Sequence, residues 1–116
     1  MSAVRRVAVT GLGIVSPLGH TVSNTWSNLL SGISGIKDIE QFDASGFPTR
    51  IAAEVKGFSL APRFLTKNNR FANRFTRFAL EAAQQAIDDA QFSLTDESMS
   101  HRFGVVTGSG MMTTDF

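Results

Sequence analysis

Residues 4–9 are β-branched or small apolar at every position but Arg5 and Arg6, and they empty into Thr10-Gly11-Leu12-Gly13. Such a run predicts a strand buried on both faces. Gly11 and Gly13 then let the backbone turn tightly where a Cβ would clash, and Pro17 and Gly19 keep it irregular. A strand that feeds a glycine-rich turn and then a helix is the opening unit of many α/β proteins. Nothing else in the chain restricts the fold as much.

The rest follows the same grammar. Thr21 or Ser23 caps a predicted helix running to about residue 31, with Trp26, Leu29 and Leu30 on its apolar side and Gly32 as its stop. Residues 32–48 read as irregular, and residues 50–55 as a second strand. The longest predicted element is a helix over about 69–90, capped by Asn68 or Asn69. Phe71, Phe75, Phe78, Ala79, Ala82, Ala83, Ala86 and Ala90 make one apolar stripe along it. The alanines suit close packing against a sheet. A polar loop over 93–101 leads to a third predicted strand, 103–107, which empties into Gly108-Ser109-Gly110. The order is β-α-β-α-β, with strands parallel in the main. Three short strands cover little apolar surface, so residues 1–116 read as the incomplete front of a larger domain.

Composition narrows the chemistry. The 116 residues allow one modest core, and the net charge of +1 points neither toward nor away from nucleic acid. With no cysteine, the chain has no disulfide, no thiolate metal ligand and no cysteine nucleophile. His20 and His101 alone make no metal-ligand cluster. Arg5-Arg6 precedes an apolar run that Thr10, Gly11 and Gly13 interrupt, unlike a secretory signal. No apolar stretch is long enough to span a bilayer, and a cytoplasmic location is expected.

Three groupings carry candidate chemistry. Gly11-x-Gly13 begins a dinucleotide fingerprint, but Ser16 stands where its third glycine belongs and Pro17 follows, so a structural turn is the better reading. Gly108-Ser109-Gly110 lacks the flanking glycines of a nucleophile elbow, since residue 107 is Thr and residue 111 is Met. A glycine-flanked turn at the carboxyl end of a strand is still where α/β proteins build ligand sites. Met111 and Met112 there are suited either to lining an apolar pocket or to ordinary packing.

The charge pattern says more. Between Val55 and Leu80 lie Lys56, Arg63, Lys67, Arg70, Arg74 and Arg77, and no acid. Cations crowd the start of the long helix while Asp88 and Asp89 sit near its end, the reverse of what the helix dipole favours. An acidic partner is the reading we adopt; the alternative is a solvated face with Arg77 paired to Glu81 at i,i+4. The patch is short and its phenylalanines interleave as core, which disfavours nucleic acid.

The wording of the chain also resembles a known family. VAVTGLGIVSPLG over residues 7–19, then Trp26, Leu29-Leu30, Gly32 and Ser34-Gly35-Ile36, is similar to the amino terminus of β-ketoacyl-acyl carrier protein synthases. The Phe42-Asp43 pair, residues 53–55, the 70–75 segment, the alanine-rich helix with Asp89 and the FGVVTGSG run of residues 103–110 follow in the family's order.

The resemblance implies a partial thiolase-like α/β/α layer fold, here its β-α-β-α-β amino-terminal segment. The implied parent reaction is decarboxylative Claisen condensation of malonyl-carrier protein with an acyl-enzyme thioester, in fatty-acid or polyketide synthesis, with no cofactor and no metal. It uses a cysteine and two histidines. None of them falls in this chain, and neither His20 nor His101 takes a catalytic role, so the chain alone is expected to be inactive. By position, Lys67 and Arg70, with Arg63 and Arg74 close by, fall where the family docks its acidic acyl carrier protein. Met111 falls where the family lines its acyl pocket. The sequence departs from the family at Phe71, often a second basic residue, and at Met112-Thr113-Thr114, commonly a glycine-rich continuation. A homo-oligomer is also implied. The competing reading is a non-catalytic module that binds carrier protein or a synthase subunit through the basic helix.

Overall fold

The computed structural model describes residues 5–66, 72–93 and 101–110. Its first regular element is helix α1, Val22–Leu30. The Thr21 side chain accepts the amide of Asn24 at its start. At its end Gly32 takes φ +68°, and the amides of Gly32 and Ile33 return to the carbonyls of Leu29 and Asn28. That is a Schellman stop, and it needs a residue tolerant of the left-handed region.

Strand β1, Ile36–Asp38, pairs antiparallel with β2, Ile51–Ala53, Ile36 opposite Ala53 and Asp38 opposite Ile51. β2 falls inside the predicted second strand; β1 lies in a stretch read as irregular. Beyond the ladder, the Glu54 carboxylate accepts the amides of Glu40 and Gln41. Lys56 Nζ closes the corner at 2.7 Å from Glu40 and 3.8 Å from Glu54. The hydrogen bond and charge of Lys56 hold the Glu40 carboxyl below the ordinary carboxylate range.

After a 3-10 turn, Pro62–Phe64, comes helix α2, Arg74–Asp89. It begins later than the sequence suggests, because Asn73 stays extended and its side chain accepts the amide of Thr76. Asn68 and Asn69, the expected caps, lie outside the described residues. α2 also ends in a Schellman arrangement, with Gln91 rather than glycine at φ 50°. This turns Phe92 onto Phe103, their rings stacked at 5.5 Å.

The predicted outer strands form no ladder among the described residues. Neither 5–9 nor 103–107 is assigned as strand, and Val7, Val9, Val105 and Val106 are 94, 80, 77 and 98% exposed. The expected parallel pairing is therefore replaced, among the described residues, by one antiparallel ladder. A strand meant for burial on both faces needs neighbours on both edges, and the described residues provide none.

Burial is correspondingly sparse. Only Ala44 and Leu60 are buried apolar residues among those described, at 8 and 6% exposure. The accessible surface is 9916 Å², where a folded monomer of this mass exposes about 6,200 Å² and the unfolded chain about 18,000 Å². The radius of gyration is 18.0 Å, against about 13 Å for a compact domain of this length. Folding here hides about two thirds of the usual area. Calorimetry of the isolated chain should accordingly give an unfolding enthalpy of about 55 kcal/mol near 60 °C instead of about 80. A monomer unfolding with the full value would contradict this open architecture.

Candidate functional site

The glycine-rich opening is organised by α2. An ideal Cβ on Gly11 would stand 2.0 Å from the Ala86 carbonyl oxygen, and one on Gly13 would stand 1.9 Å from that of Ala82. Two residues of extended chain advance about 6.8 Å and four residues of helix about 6.0 Å. Gly11 and Gly13 thus meet successive turns of the Ala82, Ala86, Ala90 stripe. The alternate amides are held too: Leu12 N–H donates to Asp89 Oδ2 at 2.9 Å and Ile14 N–H to Gln85 Oε1 at 3.3 Å. Gln85 Nε2 donates onward to the His20 carbonyl at 2.7 Å.

Neither glycine has a positive φ. Their requirement is space, and the space belongs to a helix. This disfavours the dinucleotide reading, since the close approach that both glycines permit is taken by the backbone of α2. Sequence reasoning named the glycines, the alanines and Asp89, but missed Gln85 and the hydrogen bonds that Gln85 and Asp89 make. Their i,i+4 spacing beside the alanine stripe was the available signal.

Between this segment and α1 lies a cavity of about 450 Å³ lined by Leu12, Gly13, Ile14, Val22, Trp26 and Leu29 among others. Ser16 and Gly19 close the intervening turn with reciprocal backbone hydrogen bonds of 2.9 and 3.2 Å. Thr25 Oγ1 and Asn28 Nδ2 donate to the Gly19 and Leu18 carbonyls and dock α1 beneath it. Phe58 packs edge-on between His20 and Phe78, at 5.6 and 4.9 Å.

The basic residues are less free than their sequence suggests. Arg74 donates to the Val55 carbonyl and lies over the Phe78 ring. Arg77 Nε donates to the Ala72 carbonyl at 2.9 Å, so the alternative Arg77–Glu81 ion pair is not formed. Arg63 lies over Phe64 and approaches Asp88 at 3.9 Å. Asp88 is fourteen residues along α2 from Arg74, or about 21 Å. The structure therefore does not gather Arg63 and Arg74 at one point. Lys67, Arg70 and Met111 lie outside the described residues. Among those described, no group of His, Cys, Asp and Glu could hold a metal ion, and no helix is long and apolar enough to cross a membrane.

Residues 4–115 match the sequence model of the family described as "Beta-ketoacyl synthase, N-terminal domain". The chain belongs to that family. Among its relatives, the 3-oxoacyl-[acyl-carrier-protein] synthase 2 of Coxiella burnetii is 50% identical over 107 residues, which cover 92% of this chain and 26% of that protein. The Vibrio harveyi protein of the same name is 44% identical over the same shares. Among solved structures, a β-ketoacyl synthase from Burkholderia phymatum superposes with a TM-score of 0.67 at 30% identity, over 84% of this chain and 24% of that one. The ishigamide ketosynthase/chain length factor gives 0.65 at 34% identity, over 77% and 22%.

This chain thus spans about a quarter of the length of the curated relatives it matches. The partial α/β, thiolase-like reading of a β-ketoacyl synthase amino-terminal segment holds, and the Gly-x-Gly on alanine contact is how this synthase segment joins its opening chain to α2. The parent family is one of acyltransferases, whose cysteine nucleophile has no counterpart among these 116 residues.

Proposed function

We propose that this segment serves decarboxylative condensation in a 3-oxoacyl-acyl carrier protein synthase, contributing carrier-protein docking and part of the acyl pocket. The observation that carries this is the 50% identity to a 3-oxoacyl-[acyl-carrier-protein] synthase 2 along nearly the whole chain. Lys67, Arg70 and Arg74 mark the approach to α2 as the docking region, and Met111 is the acyl-pocket residue; Arg63, beside Asp88 at the far end of α2, stands apart from it. Residues 1–116 are an incomplete part of the amino-terminal domain in this reading, consistent with the bare apolar surface. Without a cysteine, the chain alone forms no acyl-enzyme and catalyses no condensation.

Docking of a strongly acidic protein on cations is steered electrostatically and weakens with salt. Titration with acyl carrier protein at low ionic strength should show a saturable complex. Arg70→Glu should weaken it at least tenfold, while Lys37→Glu on β1 should leave it within about twofold. Equal affinity of the Arg70→Glu variant, or no binding at low salt, would remove the docking assignment.

A further inference from the structure

A cavity of about 560 Å³ opens between the start of α2 and the chain on either side of the 3-10 turn. Phe58, Leu60 and Leu65 supply its apolar wall, while Ser59, Arg74 and Arg77 bring polar groups to it. No carboxylate stands among the described residues that line it. The volume is that of a small-molecule site, and the lining sets an apolar wall beside two cations.

Both cations are held by backbone carbonyls and not by acids. Arg74 donates through Nη2 to the Val55 carbonyl, and its guanidinium lies 5.5 Å from the centre of the Phe78 ring. Arg77 is half-buried and donates through Nε to the Ala72 carbonyl at 2.9 Å, which leaves both of its Nη groups as donors. A carbonyl steadies a guanidinium without neutralising it. Glu81 follows four residues after Arg77, yet the two do not pair, and Glu81 Oε2 is buried without a hydrogen-bond partner. Arginine ahead of glutamate is the weaker order for an i,i+4 pair, so little opposes the turn of Arg77 toward the cavity.

A half-buried cation without a counterion is unfavourable until an anion meets it. Here two such side chains, at i and i+3 on α2, line the same cavity. Their two positive charges match a phosphate monoester, which carries about −1.5 to −2 at neutral pH, better than a monocarboxylate. A guanidinium also presents paired N–H groups to neighbouring phosphate oxygens. The cavity has room for an organic group beyond the phosphate, against the apolar wall.

We infer that this cavity binds a small organic phosphate, with Arg74 and Arg77 on the phosphate and Phe58, Leu60 and Leu65 against the organic part. The site uses neither Lys67 nor Arg70, so it does not depend on the carrier-protein assignment.

Phenyl phosphate is the probe, titrated into the isotope-labelled chain at neutral pH and low ionic strength and followed by nuclear magnetic resonance. Saturable shifts should centre on the amides of residues 57–60 and 72–77 and on Arg77 Nε, with Trp26 unmoved. Phenol, which lacks the charge, should bind about tenfold more weakly or worse. Inorganic phosphate, which forgoes the apolar wall, should bind about threefold more weakly or worse. Arg77→Gln should weaken phenyl phosphate by about tenfold or more while circular dichroism shows α2 retained. Lys37→Glu on β1 should leave its affinity within about twofold. Full affinity in a folded Arg77→Gln variant would overturn the assignment. So would absence of saturation, equal binding of phenol, or shifts centred outside 57–60 and 72–77. If Arg77→Gln fails to fold, the shift map and the phenol comparison on the unaltered chain decide.

Discussion

Replacing Gly13 by alanine should cost about 3 kcal/mol, at the top of the usual range for overpacking. The added methyl would begin 1.9 Å from the Ala82 carbonyl oxygen and 2.8 Å from the Ala86 amide nitrogen, both of them backbone atoms that no rotamer change can move. α2 would have to retreat by more than an ångström. That would stretch the Ile14 to Gln85 bond, already 3.3 Å, and the Leu12 to Asp89 bond beside it. Amide exchange at Leu12 and Ile14 should accelerate by a hundredfold or more, and the thermal transition should fall. Gly46→Ala is the control: nothing lies within 4 Å of its Cβ and its φ is not positive. It should be neutral or slightly stabilising through the unfolded chain. Equal effects of the two substitutions would show that α2 does not rest on the glycine segment.

That contact also marks where sequence reading reached and where it stopped. Gly11 and Gly13 were legible as positions intolerant of a Cβ, but a turn and a helix crossing make the same demand on sequence. Their two-residue spacing matching the four-residue alanine spacing separates the two, and only across 69 or more residues of chain. α1 was legible because Thr21 and Gly32 act locally: of the two caps the sequence offers, Thr21 is used and Ser23 is not, and the helix ends one residue before the expected residue 31. The start of α2 was not, since Asn68, Asn69 and Asn73 are all competent caps and the fold selects the last. β1 was missed because Ile36-Lys37-Asp38 is three residues without alternation, defined by its partner alone.

The outer strands teach the converse. Residues 4–9 and 103–107 read as buried strands, and the structure leaves their described parts unpaired and bare. Composition reports the environment a segment is suited to. The neighbours that create the environment are a separate matter, and here the described residues do not include them. The charge pattern shows a similar gap: the sequence offers Arg77 only Glu81 and Arg74 no acid, whereas their partners are the carbonyls of Ala72 and Val55, which have no sequence signature.

We propose that this chain is a working amino-terminal segment of a condensing synthase. Half of its matched residues are identical to those of the Coxiella burnetii enzyme, and the residues that set its internal geometry, Gly11, Gly13, Gln85 and Asp89, all lie within its own 116 positions. A graft therefore carries its glycine–helix contact with it, while the recipient supplies the nucleophile and the covering strands. The most direct measurement is condensing activity of the Coxiella burnetii synthase with its matching segment replaced by residues 4–115 of this chain. Turnover of malonyl- and acyl-carrier protein should lie within about tenfold of the parent enzyme, falling at least a further tenfold at low substrate concentration when Arg70→Glu is added. A graft that folds, keeps its catalytic cysteine reactive, and yet shows no condensation would contradict it.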